Sequence, residues 1–453
     1  MDKEYLLNEN PGKALFIFAI PMIIGNLFQQ FYTMADSIVV GRFVGETALA
    51  AVGASYALTM VFIAIAIGGG IGASVITARH FGARRYPQMI RSIRTAIITF
   101  ITIGILLAIF GAWKTQEMLL FLNTPIDVLD QAAEYLQVYF IGLPFLFLYN
   151  VLSSMFTALG NSKTPLYLLI FSSVLNILLD IYAVVELNMG VAGVAWATVI
   201  AQGLAAILSS VLFLRQIREY EMPERVFFDQ RELKEMTRVA LPSILQQSTV
   251  MIGMMLVQSV VNRFGSEVLA GYSAAMRTDG IFVVPMVAIG NAMSSYTAQN
   301  IGARQVQRVV DGYHAGAKIV AGFAFSACVL LVGFRYPLIR SFLGDNASTV
   351  SIQTGTSILG FMGWFFVLIG LKMLTDGLLR GAGHMFLFTA ANLVNLSVRV
   401  GVAMICAPRF GVEFIWYAVP LGWFANLTIS FASYRLGRWK ASANLSHGDE
   451  GRA

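Results

Sequence analysis

Charge is the first thing this sequence lacks. Only 12% of its 453 residues are Asp, Glu, Lys or Arg, against roughly 25% in soluble globular domains, and 57% are hydrophobic. That balance excludes a soluble globular protein. Cysteine is nearly absent as well: Cys328 and Cys406 both fall inside apolar stretches, where a thiol packs as a small hydrophobe and says nothing about redox compartment. Paired acidic clusters able to hold a metal and a diphosphate are missing, as is a metalloprotease motif, which argues against a membrane-embedded enzyme. Hydrophilic stretches are scarce too, the only long one between apolar segments being 215–238.

What is present is apolar sequence in membrane-length runs. Stretches such as 49–78, 95–113, 166–185 and 386–407 each exceed the roughly 18 apolar residues that mark a spanning helix. Twelve spans are expected, at 14–41, 48–78, 92–113, 129–157, 165–187, 190–214, 236–262, 268–298, 312–334, 349–378, 385–407 and 411–436. The polar residues before the first run, and its length, fit a spanning helix rather than a cleaved signal. Gly68, Gly69, Gly70 and Gly72 follow a helical pattern rather than a strand, so they are expected to let helices approach closely rather than to cradle a phosphate.

The chain also says nearly the same thing twice. Phe18-Ala19-Ile20-Pro21 returns as Val239-Ala240-Leu241-Pro242, Arg42-Phe43 with Glu46 as Arg263-Phe264 with Glu267, and Gly82-Ala83-Arg84 as Gly302-Ala303-Arg304. The offset stays near about 220 residues, too steady for chance similarity between apolar segments. The expectation is an all-α polytopic membrane protein. Its two pseudo-symmetric six-helix lobes, related by an axis along the membrane normal, occupy 1–217 and 236–437, with a charged cytoplasmic linker at 218–235 and a cytoplasmic tail at 438–453.

An even number of spans puts both termini on one side, and basic residues choose that side. Placing the termini in the cytoplasm puts Arg79, Arg84, Arg85, Arg91 and Arg94, the basic residues of 215–238, Arg304, Arg308 and those after Arg435 inside. Only Arg42, Lys114, Arg263, Arg335, Arg340 and Arg409 are left outside. A multi-pass protein of the plasma (inner) membrane with both ends cytoplasmic is expected, and its net charge of +6 reflects topology and lipid headgroups rather than nucleic acid.

The charges left inside the bilayer are the functional suspects, because an intramembrane carboxylate is costly unless it is protonated, paired or wet. Asp36 and Asp180 both fall roughly 8–10 Å short of the outer ends of the first and fifth spans, in one layer. Asn176 lies one turn below Asp180, Tyr32 one turn below Asp36, and Thr198 and Tyr139 reach a matching depth on the sixth and fourth spans. Across the repeat Asp36 becomes Val257 and Asp180 becomes Arg399, so the acidic pair belongs to one lobe only. The residues proposed for a coupling ion are Asp36, Asp180, Asn176, Thr198 and Tyr139, with Asp36 and Asp180 the ligands if that ion is Na+. Substrate-cavity candidates are Tyr32, Gln246, Gln247, Arg277 and Arg399. Lys372, Asp376 and Arg380, spaced four apart, fit local ion pairing near the inner end of the tenth span.

At these residues the chain resembles the multidrug and toxic compound extrusion (MATE) family. The resemblance runs over essentially the whole length and rests on Pro21 in a helix carrying Met34-Ala-Asp-Ser-Ile-Val-Val-Gly41, on Gly-Ala-Arg after spans two and eight, on Leu159-Gly160-Asn161, and on Leu379-Arg380-Gly381-Ala382-Gly383. The branch it resembles carries acidic residues in helices 1 and 5, matched here by Asp36, Asn176 and Asp180. The resemblance implies a monomeric secondary antiporter that exports bulky, cationic or amphipathic organic compounds in exchange for H+ or Na+ by alternating access, with no cofactor. Its partners would be the small-molecule substrate and the lipid bilayer. The nearest rival is a lipid-linked saccharide flippase of related two-lobe architecture. Arg277, Lys372 and Arg399 favour it, and the acidic depths of the first lobe oppose it.

Overall fold

A computed structural model describes residues 4–122, 124–220, 227–344 and 347–443. Those residues form helices and no strand, and twelve helices are long and apolar enough to cross a membrane. They are α1 (Pro11–Val39), α2 (Glu46–Gly82), α3 (Tyr86–Phe121), α4 (Ile126–Ala158), α5 (Lys163–Ile181) and α6 (Gly190–Ile217) in the first half. The second half contributes α7 (Gln230–Val261), α8 (Ser266–Gly302), α9 (Val306–Gly333), α10 (Thr349–Gly381), α11 (Met385–Phe410) and α12 (Phe414–Leu436). A 3-10 turn at Gly363–Phe365 interrupts α10, and a short helix at Arg335–Leu343 precedes it.

Helix ends follow the local sequence. Asn10 caps α1 by accepting the Gly12 N–H at 3.1 Å, with Pro11 supplying the fixed φ of a first helical residue. Ser348 caps α10 through the Ser351 N–H at 3.2 Å. The repeat reappears in the C-terminal turns. Arg84 (φ 56) and Arg304 (φ 60) take the same left-handed conformation, and each turn closes with matching bonds: Arg85 N–H to His80 O at 3.0 Å and Gln305 N–H to Asn300 O at 2.8 Å. Gly160 (φ 79) and Gly383 (φ 73) make the equivalent closures after α4 and α10, where glycine bears the positive φ without strain.

The chain divides into two compact units. One comprises Ile24–Ile244; the other comprises the residues up to Ile23 with those from Leu245 onward. The division passes within α1 and α7, and the physical reason is local docking. Arg308 Nη2 donates to Glu9 O at 2.7 Å and to Leu6 O at 3.3 Å, and Asn300 Nδ2 donates to Leu6 O at 3.2 Å, so the residues before α1 are fastened to α8 and α9. Conversely, the start of α7 is fastened to first-half helices. Glu232 meets His80 at 3.1 Å, and the Asp229 N–H donates to Thr95 Oγ1 at 3.0 Å. Above these contacts a Cβ on Gly68 would lie 2.6 Å from Ile244 Cα, and one on Gly72 would lie 2.5 Å from Ala240 Cα. The glycine run thus serves close helix packing, as its pattern indicates. Residues 221–226 of the expected linker and 444–453 of the tail lie outside the described residues; Gln230 to Glu235 already belong to α7.

Candidate functional site

The acidic pair lies wholly within the Ile24–Ile244 unit. Asp36 sits in the last turn of α1 and Asp180 one residue before the end of α5. Just beyond each acid the helix widens: Val40–Val44 and Tyr182–Glu186 are π turns, and the two pack against one another and on α6. Among the described residues these are the only π turns. The repeat counterpart of the first, at the end of α7, is an ordinary 3-10 turn, Asn262–Phe264. Rare π turns store helix irregularity at functional sites, and here both mark the helices that carry an acid.

The two carboxyl groups lie within electrostatic reach of each other. Asp180 is fully buried and Asn176 is 2% exposed. Asn176 connects the surrounding groups: its Nδ2 donates to Tyr32 Oη at 2.7 Å and to Asp180 Oδ2 at 3.3 Å, while its oxygen accepts the Thr198 N–H at 3.0 Å. These partners assign the amide orientation; the opposite one leaves a single bond, to Thr198 Oγ1 at 3.3 Å. Oδ1 of Asp36 and Oδ1 of Asp180 are buried and have no hydrogen-bond partner.

Of the sequence candidates, the structure therefore brings together Tyr32, Asp36, Asn176, Asp180 and Thr198. Tyr139 is near but makes no hydrogen bond to either acid; its hydroxyl is buried without a partner. One turn earlier, Tyr135 stacks on Tyr139 at 6.3 Å between ring centroids and feels the charge of both acids. Tyr135 is the lining residue that sequence reading misses, although its i, i+4 spacing from Tyr139 gives the signal.

The remaining candidates lie elsewhere. Gln246 is buried and accepts from Arg380 Nη1 at 3.4 Å, while Arg380 also donates to Asn291 Oδ1 at 2.7 Å and Ser294 Oγ at 3.3 Å. Gln247 is half-buried and Arg277 exposed. Lys372 and Asp376, both about fully buried, pair at 3.2 Å. Ser430 Oγ donates to Asp376 Oδ1 at 2.7 Å, and Asn392 bridges the pair by accepting from Lys372 at 3.1 Å and donating to Asp376 at 3.3 Å. A sealed and fully bonded network of this kind fixes α10 against α11 and α12. Arg399 lies within electrostatic reach of Tyr272 and Asp279. A surface groove of about 540 Å3 runs beside Leu233, Lys234, Arg238 and Leu241 on α7, remote in sequence from the acids.

A family profile described as MatE matches residues 21–182 and again 242–405. The chain belongs to the MatE family. The two matches begin at Pro21 and Pro242, the positions that open the internal repeat. The chain is 28% identical over 434 residues to "Probable multidrug resistance protein YpnP" of Bacillus subtilis, covering 95% of this chain and 96% of that one. It is 25% identical over 460 residues to "Probable multidrug resistance protein NorM" of Thermotoga maritima, with 98% and 97% covered. Among solved structures, an outward-facing multidrug resistance MATE family transporter of the MOP superfamily superposes with a TM-score of 0.90 at 26% identity, covering 98% and 99% of the two chains. The protein is thus a twelve-span, two-lobe membrane transporter of the multidrug efflux type, and not an enzyme.

Proposed function

We propose that this MatE-family protein is a secondary antiporter that exports organic cations and amphipathic compounds by alternating access, driven by an ion loaded at Asp36 and Asp180. The observation that carries this reading is the meeting of two acids within electrostatic reach of each other on membrane-spanning helices, one of them, Asp180, tied by Asn176 to Tyr32 and Thr198. One proton held between two neighbouring buried acids fits such a pair. Its loss would leave two anions facing each other in a low-dielectric setting, a repulsion that only a helix movement or a replacing cation relieves. In this scheme protonation from outside draws α1 and α5 together and expels cargo, and proton release inward lets the helices part and accept new cargo. Pro21 removes one backbone hydrogen bond from α1 and supplies a place for the helix to bend.

Na+ is the second reading. Hard cations take oxygen ligands, and the unpartnered Oδ1 atoms of both acids provide two. In either case the distribution of basic residues supports both termini facing the cytoplasm, with the transporter working as a monomer in the plasma membrane.

The test is ion-gradient-driven accumulation of a fluorescent organic cation in inverted membrane vesicles. Wild type accumulates the cation, and Asp36→Asn and Asp180→Asn do not, although both variants remain in the membrane at normal abundance. A pH gradient and a Na+ gradient imposed separately identify the ion. Full accumulation by Asp36→Asn would refute the assignment.

A further inference from the structure

The helix that opens the second repeat is longer than a bilayer needs. With the 3-10 turn that follows it, α7 runs Gln230–Phe264, 35 residues, whereas about 20 residues at about 1.5 Å each cross the hydrocarbon core. Counted back from the end of α7, about 20 residues reach only to Pro242. The first three turns, from Gln230 to Leu241, therefore stand in the headgroup layer.

Those turns have one engaged face and one open face. Glu232 meets His80 of α2 at 3.1 Å, and Met236, Val239 and Ser243 continue that face as buried residues at helical spacing. On the opposite face Gln230, Lys234, Arg238 and Leu241 are exposed. Just before the helix, Asp229 is pinned twice: its N–H donates to Thr95 Oγ1 at 3.0 Å, and its Oδ1 accepts the Arg231 N–H at 2.8 Å. That fixes the neighbouring Phe228 at the lip of the open face.

Along the open face runs the groove of about 540 Å3, wholly within the Ile24–Ile244 unit and of a size that ordinary ligand pockets share, about 300–1,000 Å3. Phe228, Leu233 and Leu241 make its apolar walls, and its only charges are Lys234 and Arg238, both positive and one turn apart. Neither pairs with a carboxylate among the described residues. The acids of the same turns are engaged elsewhere, Glu232 with His80 and Glu235 within electrostatic reach of Arg79. The internal repeat supplies a control. Shifted by the distance between Pro21 and Pro242, Lys234 falls on Lys13 and Arg238 on Ile17. Lys13 is neutralised by Glu9 at 3.0 Å, so the unpaired basic couple belongs to α7 alone.

We propose that this groove binds an anionic phospholipid of the cytoplasmic leaflet, with its phosphate between Lys234 and Arg238 and an acyl chain running into the bilayer past Leu241. Arg238 presents a fork to the phosphate and Lys234 a point charge. The cytoplasmic leaflet holds the anionic lipids and attracts basic residues at its surface. Free phosphate shares the headgroup chemistry but has no chain for the exposed Leu241 end, which commits the groove to lipid. The choice of leaflet rests on the cytoplasmic orientation proposed above; binding itself does not.

The experiment places the purified full-length protein in phosphatidylcholine nanodiscs doped with phosphatidylglycerol that carries a diazirine in one acyl chain, and maps the photolabelled peptides. Label concentrates on the peptide containing 228–241. Unlabelled phosphatidylglycerol displaces it, and phosphatidylcholine of the same chains and inorganic phosphate do not. Lys234→Gln and Arg238→Gln each lower labelling of this peptide about fivefold, and the double substitution about thirtyfold. Arg238→Lys keeps part of the signal, and Lys13→Gln leaves it unchanged. Both groove cations are exposed and unbonded, so the unfolding midpoint of each variant stays at the wild-type value. Label spread evenly over the lipid-facing helices, equal capture of a phosphatidylcholine probe, displacement by inorganic phosphate, or a double variant that labels like wild type would each overturn the proposal. Nanodiscs expose both leaflets and carry no gradient, so the result is independent of orientation and of the coupling test: Asp36→Asn labels like wild type whether or not it transports.

Discussion

The contact between α2 and α7 gives a prediction whose size follows from the structure. Replacing Gly72 by Ala places a methyl 2.5 Å from both Ala240 Cα and Ala240 N, where ordinary contacts of such an atom lie at 3.4–4 Å. The obstacle is helix backbone, which cannot rotate away, so the two helices must separate by about 1 Å along that line. Overpacking of this kind costs roughly 1–3 kcal/mol, offset by roughly 0.5–1 kcal/mol because Ala suits a helix interior better than Gly. A net loss of about 1–2 kcal/mol lowers the unfolding midpoint by roughly 2–8 °C for a unit of this size. The same helix supplies the control, since a Cβ on Gly53 meets nothing within 4 Å and Gly53→Ala should hold or raise the midpoint. Gly68→Ala adds to Gly72→Ala by less than its single effect, because one displacement of α7 accommodates both methyls. Thermal unfolding of the purified protein in detergent measures all four. A Gly72→Ala protein that melts with Gly53→Ala would show that the α2–α7 contact is not as tight as described.

Other outcomes follow from the polar networks. Asp376→Ala leaves Lys372 buried and unpaired and should destabilise by about 3–5 kcal/mol, whereas Lys372→Met combined with Asp376→Leu recovers most of the loss, read from unfolding midpoints. Asn176→Ala removes the bridge among Tyr32, Asp180 and Thr198; at roughly 0.5–1.5 kcal/mol per lost hydrogen bond it should lower the unfolding midpoint by several degrees, and gradient-driven transport by the folded protein falls at least about tenfold. Backbone amides of Val40–Val44 and Tyr182–Glu186 should exchange with solvent deuterium faster than those of the α-helical turns just before them, because π turns lie at the low end of local stability.

Much of the architecture was legible in the sequence because its causes are local. Apolar run length fixes a span, and a steady offset between Pro21 and Pro242 fixes a repeat. The turns at Arg84 and Arg304, Gly160 and Gly383 repeat because the same short sequences close the same helix ends. The depth of Asp36 and Asp180 was legible too, since helical rise converts residue count to distance. Their mutual approach was not, because it depends on how α1 and α5 are rotated about their axes. For the same reason Tyr139 attracted notice while Tyr135, one turn away, takes the place beside the acids. The limits of the compact units have another physical cause. A charged linker marks where the chain leaves the membrane, whereas compactness follows docking. Arg308 and Asn300 hold the residues before α1, and Gly68 and Gly72 hold the start of α7. The π turns have no sequence signature of their own.

The central claim is that Asp36 and Asp180 share the ion that drives export. Infrared difference spectroscopy of the reconstituted protein tests it most directly, by following the C=O stretch of a protonated carboxyl as cargo or Na+ is added. The expected spectrum shows a band from a shielded protonated acid that is lost on cargo or Na+ binding, and that is missing from Asp36→Asn and from Asp180→Asn. A band that both substitutions leave in place, still responding to cargo, would contradict the account.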